Sequence, residues 1–304
     1  MARDTIPITQ QVLDHLAALG IAVPHVATDV TTNDYFAFWR ELAAKDPRPD
    51  LGISIGLAVF GKSVASIAAV QAPTVADAIR TIGRYKRLVC PEEVLLEIGD
   101  GEGSVRCDWT LATGDVPAML VDAVFTSHVA LLAKATGGKA KPLRIELARK
   151  SRHAQILRAH FKCPIVFGAA YDRMVFSTDT LALPLLSANR AAYEALVPGL
   201  EAKLAAKQTL VGSVRVAIAR TISAGAQPSI RTIADRLETT ARTLQRNLGK
   251  ANTTFGEQLE DVRRVTARRL LAHTELPNID IAFLLGYQEP NSFARALRQW
   301  QQRK

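Results

Sequence analysis

The strongest constraint in this chain is a unit that occurs twice in its last third. The first copy reads IADRL, ETTART, LQRNL, and the second reads IAFLL, GYQEPNS, FARAL. In each, an Ile-Ala-x-x-Leu helix passes through a short turn into a helix of pattern apolar-x-Arg-x-Leu. The matching triplets are Leu244-Arg246-Leu248 and Phe293-Arg295-Leu297. A short helix, a tight turn and a second short helix make a helix-turn-helix.

The helical period separates a buried face from an exposed one in both copies. Leu244 and Leu248 stack at i and i+4 with Ala241 beside them, so Arg242, Arg246 and Lys250 point away from the core. Like charges at that spacing repel mildly, so the row calls for an external anion. In the second copy Phe293, Leu297 and Trp300 form the buried face, leaving Asn291, Ser292, Arg295, Arg298 and Gln299 outside. The end signals agree. Ser229 and Thr240 are placed to cap helices, Gly286 stands at a left-handed C′ position, and Pro290 stands at a first helical position.

Arg suits guanine, and Gln or Asn suits adenine, when side chains meet base edges in the major groove. The candidate DNA-contacting set is Ala241, Arg242, Gln245, Arg246 and Lys250 in the first unit, with Asn291, Ser292, Arg295 and Arg298 in the second. Phe255 to Leu271 reads as one continuous helix between them, about 25 Å long at 1.5 Å per residue. That rod can hold two recognition helices about one duplex turn apart, roughly 34 Å, so that one chain enters two successive major grooves. Lys250 and the cations Arg263, Arg264, Arg268 and Arg269 of the linker helix are expected on phosphates or in salt bridges.

Charge is divided in the same way. From Thr209 to Lys304 there are 15 Lys and Arg against 8 Asp and Glu, a net +7, whereas the other 208 residues carry only +2. Such asymmetry points to a nucleic-acid or membrane partner for the basic part. MARDTIPITQ lacks the apolar region of a secretory signal, and no run of about 18 uncharged apolar residues suggests a membrane span, so a cytoplasmic protein without a membrane partner is expected. Cys90, Cys107 and Cys163 form no C-x-x-C pair and are expected as buried, reduced thiols.

The first part of the chain mixes strand and helix signals, with a boundary near 188 to 212. Helices are predicted over 9–20, over 33–46 with Asn33 or Asp34 as N-cap, over 73–89, and around SRHAQILRAHF. EVLLEIG and SVRCDWTLA flank DGEG as a hairpin, and PLRIELA, CPIVFG and RMVFS read as further strands. VPAMLVDAVFTSHVALLAKATGG reads as a buried helix ended by glycine. The expectation is an α+β sensory domain over 1–190, with a mainly antiparallel sheet backed by helices. A connecting helix over 191–210 then leads to an all-α domain over 211–304, in which a linker helix joins the two helix-turn-helix units.

IADRL, ARTLQRNL, RRVTARRLL and IAFLLGYQEPNSFARALRQW resemble the DNA-binding domain of AraC/XylS-type bacterial transcription regulators. Upstream, DAIRTIGRYKRLV and FKCPIVFGAAYDRMVFSTDTLALPLLSAN resemble the arabinose-binding-like domain of one subgroup. The resemblance implies a ligand-responsive regulator, often an activator, that acts as a homodimer on double-stranded DNA. It also implies a small-molecule effector and, for an activator, RNA polymerase as partner. Two departures stand out. Asn278 and Ile279 are exchanged relative to the family pattern, and WQQRK takes the place of a Gly-x-x-Pro continuation, which would leave the domain slightly less stable.

An enzyme is the rival class. Adaptive DNA-repair proteins with this DNA-binding domain carry a Pro-Cys-His-Arg motif, whereas here the cysteines lie in LVCPEE, VRCDWT and FKCPIV. The six histidines make no H-x-x-x-H pattern, and His128 on its apolar helix reads as a satisfied core histidine. No catalytic residue, metal or cofactor is expected. A ligand-independent regulator whose first domain only binds protein is the alternative.

Overall fold

The computed structural model describes residues 5–23, 29–109, 116–207 and 209–302. The first unit runs β1 (Thr5–Pro7), α1 (Gln10–Ala18), β2 (Asp29–Thr31), α2 (Thr32–Lys45), α3 (Leu51–Val59), α4 (Val64–Ala69) and α5 (Val75–Tyr85). A 3-10 turn at Lys86–Leu88 leads to β3 (Glu93–Ile98), β4 (Glu102–Asp108), α6 (Ala118–Ala135), β5 (Arg144–Leu147), α7 (Ala154–Phe161) and β6 (Ile165–Phe167). β7 (Arg173–Ser177), α8 (Thr178–Ala182) and α9 (Arg190–Lys207) complete it. The second unit is helical: α10 (Leu210–Ser223), α11 (Ile230–Arg236), α12 (Ala241–Lys250), α13 (Phe255–His273), α14 (Asn278–Leu284) and α15 (Pro290–Gln302).

The five-stranded sheet has the order β3-β4-β7-β5-β6, and every pair is antiparallel except β5–β6. The predicted hairpin is β3–β4, with Ile98 opposite Gly103; residues 110–112 of the expected strand SVRCDWTLA lie outside the described residues. The cap of α2 is corrected from Asn33 or Asp34 to Thr31. Its hydroxyl accepts from the Asp34 N–H at 3.2 Å and donates to the Asp34 carboxylate at 2.7 Å. Cys90 and Cys107 are buried thiols, and Cys163 is only half-buried.

α6 is long and apolar enough to span a bilayer by composition, but Leu120, Val124, Phe125, Leu131 and Leu132 are buried inside the domain. It packs most extensively on α3, and Gly56 is what permits the approach. A Cβ at residue 56 would lie 2.4 Å from the Ala123 carbonyl oxygen and 2.6 Å from Thr126 Cβ. α9 rests on the same unit: Leu200 and Leu204 join Ala65, Ala68, Tyr85 and Leu88 in one apolar cluster. Glu201 accepts from the Tyr85 hydroxyl at 2.6 Å and from Arg84 Nη2 at 2.7 Å.

In the second unit the two helix-turn-helix turns are built alike. Behind α11 the Thr239 N–H donates to the Ala234 carbonyl and the Glu238 N–H to the Asp235 carbonyl. Behind α14 the Tyr287 N–H donates to Ala282 and the Gly286 N–H to Phe283. This is the Schellman pattern, and it needs a left-handed residue at C′. Gly286 supplies it at φ 71°, and Glu238 adopts it at φ 52° in the first copy. A side chain in that conformation costs about 1 to 2 kcal/mol.

Two stability outcomes follow. Glu238→Gly should raise stability by about 0.5 to 1 kcal/mol, the relief of the left-handed strain less glycine's greater unfolded-state entropy; a lowered urea midpoint would contradict it. Gly56→Ala gains about 1 kcal/mol of helix propensity, whereas overpacking costs about 1 to 3 kcal/mol. The thermal midpoint should fall, and a rise would mean that α3 does not need its contact with α6.

Candidate nucleic-acid interface

The first recognition helix is α12. Thr240 Oγ1 accepts from the Thr243 N–H at 3.1 Å, and Ser229 caps α11 in the same way through Thr232. Leu244 and Leu248 are wholly buried against Val214, Ile218, Ile233, Ala234 and Val262. Burial of those two leucines contributes about 1.5 to 3 kcal/mol each and sets the helix's rotation. Arg242, Gln245, Arg246 and Lys250 are consequently exposed on the other side. Ala241 is half-buried against the core cluster, so it can offer only a methyl edge.

The second recognition helix is α15, and Pro290 opens it as expected. Phe293 and Trp300 are buried, and their rings pack edge to face with centroids 6.3 Å apart. Leu297, expected on the buried face, is only half-buried. Trp300 Nε1 donates to Glu260 of α13 at 3.1 Å, which fixes the far end of α15 to the linker helix. Asn291, Arg295 and Arg298 are exposed. Ser292 is half-buried and accepts a 3.2 Å hydrogen bond from Arg295 Nη2, so one arginine is pre-oriented along its own helix.

α13 has 19 residues, about 28 Å of rod. It begins with a capping box: Thr254 Oγ1 accepts from the Glu257 N–H, and the Glu257 carboxylate accepts from the Thr254 N–H at 2.8 Å. The T-x-x-E spacing that signals it is present in TFGE. The linker cations do not behave as a group. Arg263 donates through Nε to the Leu285 carbonyl at 2.9 Å and through Nη2 to the Gly286 carbonyl at 2.6 Å, and it lies 4.1 Å over the Tyr287 ring. Among the described residues its partners are these two carbonyls and the Tyr287 ring, which close the end of α14, and not a carboxylate. Arg264 pairs with Asp261 at 2.9 Å, Arg268 is exposed, and the side chain of Arg269 lies outside the described residues.

A second set of polar groups is buried in the first unit. Glu92, Cys107 and His128 hold potential ligand atoms within 4.8 Å of one another. Lys86 Nζ lies 2.9 Å from His128 Nε2 and 3.3 Å from Glu92, so an ammonium already holds the position that a cation would take. Burial, and then the Lys86 charge, hold His128 well below the usual histidine range, and its neutral ring accepts from Lys86. Burial works against the Lys86 charge, but Glu92, and then Cys90 and Cys107, work the other way, and the net direction is up. His128 is thus a buried core histidine held through Nε2 by Lys86.

Comparison with known proteins gives these features a context. Residues 12–185 match the family model described as the arabinose-binding domain of AraC transcription regulator, N-terminal part, and residues 233–303 match a helix-turn-helix domain. The ornithine utilization regulator of Pseudomonas aeruginosa is 26% identical over 260 residues, covering 83% of this chain and 76% of that one. The HTH-type transcriptional regulator VirS of Mycobacterium tuberculosis is 26% identical over 269 residues, covering 85% and 78%. The crystal structure of the transcriptional regulator CdpR from Pseudomonas aeruginosa shares the fold, with a TM-score of 0.53 at 21% identity over 96% of this chain and 94% of that one. With more than half of its length in the first match and its paired helix-turn-helix units in the second, the chain belongs to the AraC family and is a DNA-binding transcription regulator, not an enzyme.

Proposed function

We propose that residues 211–304 read two successive major-groove segments on one face of duplex DNA. The observation that carries this is the pair of equivalent turns, Leu237-Glu238 and Leu285-Gly286, each presenting an exposed recognition helix from a common rod. In this reading Arg242, Gln245, Arg246, Asn291 and Arg295 approach base edges, Lys250 and Arg298 meet phosphates, and Ala241 and Ser292 contribute close contacts at the helix starts. Residues 1–190 serve as the effector-binding and dimerisation domain, with 191–210 connecting the two.

The regulator is then a cytoplasmic homodimer that responds to a small molecule. Support for the response is the family of its first domain and the relative named for ornithine utilization. Activation through RNA polymerase is the mode that the family resemblance implies.

Footprinting with the full chain should show two protected segments about one helical turn apart. Protection of a single segment of four or five base pairs would refute the paired reading. Arg246→Ala should cost about 1 to 3 kcal/mol on the operator and much less on scrambled duplex. Lys250→Ala should weaken both alike and lower the slope of log affinity against log salt by about one. Fluorescence anisotropy at several salt concentrations separates the two. Equal losses on both duplexes for Arg246→Ala would reduce α12 to a phosphate clamp.

A further inference from the structure

A partly open cavity of about 230 Å³ lies in the first unit, bordered by α1, α2, α3, α4, the 3-10 turn and α6. α6 forms one wall, as its apolar sequence suggests, but no strand of the five-stranded sheet lines the space. Val12, Trp39, Ile55, Val89, Leu120 and Val124 make it largely apolar. Its volume falls below the roughly 300 Å³ at which pockets begin to take drug-sized ligands, so it has room only for a small molecule.

The polar end of the cavity narrows the chemistry. Lys86 lines it, backed by Glu92 and His128, which do not. An ammonium has three N–H donors. One faces His128 Nε2 at 2.9 Å and one faces Glu92 at 3.3 Å, which leaves the third without a partner among the described residues. Trp39, 3% exposed on the same lining, has its indole N–H against the Tyr35 hydroxyl, without a hydrogen bond of good geometry. Tyr35 is turned to Cys90, with its hydroxyl 3.8 Å from the sulfur. Lys86 and Trp39 therefore face the cavity as donors, and Glu92 Oε1, an acceptor that makes no hydrogen bond among the described residues, does not line it.

Charge decides between an anionic and a neutral acceptor. Glu92 lies 3.3 Å from the Lys86 ammonium as its counter-ion, with burial pushing the Glu92 carboxyl up and Lys86 opposing that, and with His128 neutral the pair leaves this end without net charge. A ligand carboxylate would leave an uncompensated buried charge, and a ligand ammonium would sit beside Lys86. Either arrangement is penalised by desolvation of an unbalanced ion.

We propose that this cavity is the effector site and that it takes a small, mostly apolar molecule with an uncharged oxygen acceptor, a carbonyl or hydroxyl, directed at Lys86 and Trp39. The inference rests on the reading of residues 1–190 as an effector domain. Four probes of one chain length test it on the full-length protein: 2-heptanone, 1-heptanol, heptanoate and heptylamine. Saturable change in tryptophan fluorescence and the thermal midpoint are the readouts. The ketone and alcohol should bind at least tenfold more tightly than the two charged probes. Ala123→Leu and Ser127→Leu, which fill the cavity from α6, should each weaken that binding at least tenfold while operator affinity without probe stays within twofold. Two variants are used so that misfolding of one leaves the other to decide. Heptanoate binding as tightly as the ketone, no saturable binding by any probe, or binding unchanged in both filled variants would each overturn the proposal. If the probes bind as expected but operator occupancy and transcription do not respond, the cavity assignment stands and the ligand-responsive reading falls.

Discussion

The burial of Leu244 and Leu248 in the first helix-turn-helix, and of Phe293 and Trp300 in the second, is the constraint on which the DNA-facing surface depends. On a 3.6-residue period a helix with one wholly buried stripe has no rotational freedom left, so the opposite face is fixed as well. Arg242, Arg246 and Lys250 are thus held outward by leucines they never touch. At roughly 1.5 to 3 kcal/mol for each buried leucine, rotating α12 to hide its cations is far more costly than the mild repulsion among them.

The same core gives α13 a structural part beyond spacing. Arg263 reaches back from the rod to the carbonyls of Leu285 and Gly286, and Glu260 receives the Trp300 indole N–H from α15. Both contacts tie the second unit to the rod at two points. Gln288 adds a third tie, donating at 2.8 Å to Gln227 in the loop ahead of α11. The angle between the two recognition helices is therefore held by specific polar contacts as well as by packing, which is what reading two grooves in fixed register requires.

The paired units were legible in the sequence because period, caps and turn chemistry all agreed there: Ser229 and Thr240 cap their helices, Gly286 is left-handed, and Pro290 opens α15. The left-handed Glu238 was not legible, since glutamate carries no local signal for that conformation. Nor was α3, because LGISIGLAV is apolar on all sides and its glycines resemble breakers until α6 is seen against them. β1 and β2, at three residues each, are too short for alternation to register. The part Arg263 plays in closing α14 was not legible, because its partners lie 22 and 23 residues away, where no helical spacing points. The Lys86–Glu92–His128 group escaped notice for the same reason, the histidine being 42 residues from the lysine.

The central claim is that one chain carries two recognition helices in fixed register, and the most direct measurement is affinity for an operator in which five base pairs are inserted between the two protected segments. Half a turn places the second segment on the far side of the duplex. The account predicts a loss of about tenfold or more, on the order of one bidentate base contact, equal to that caused by scrambling the second segment outright. Unchanged affinity for the lengthened operator would contradict it, since the two units would then be reading DNA independently or only one would be reading it at all.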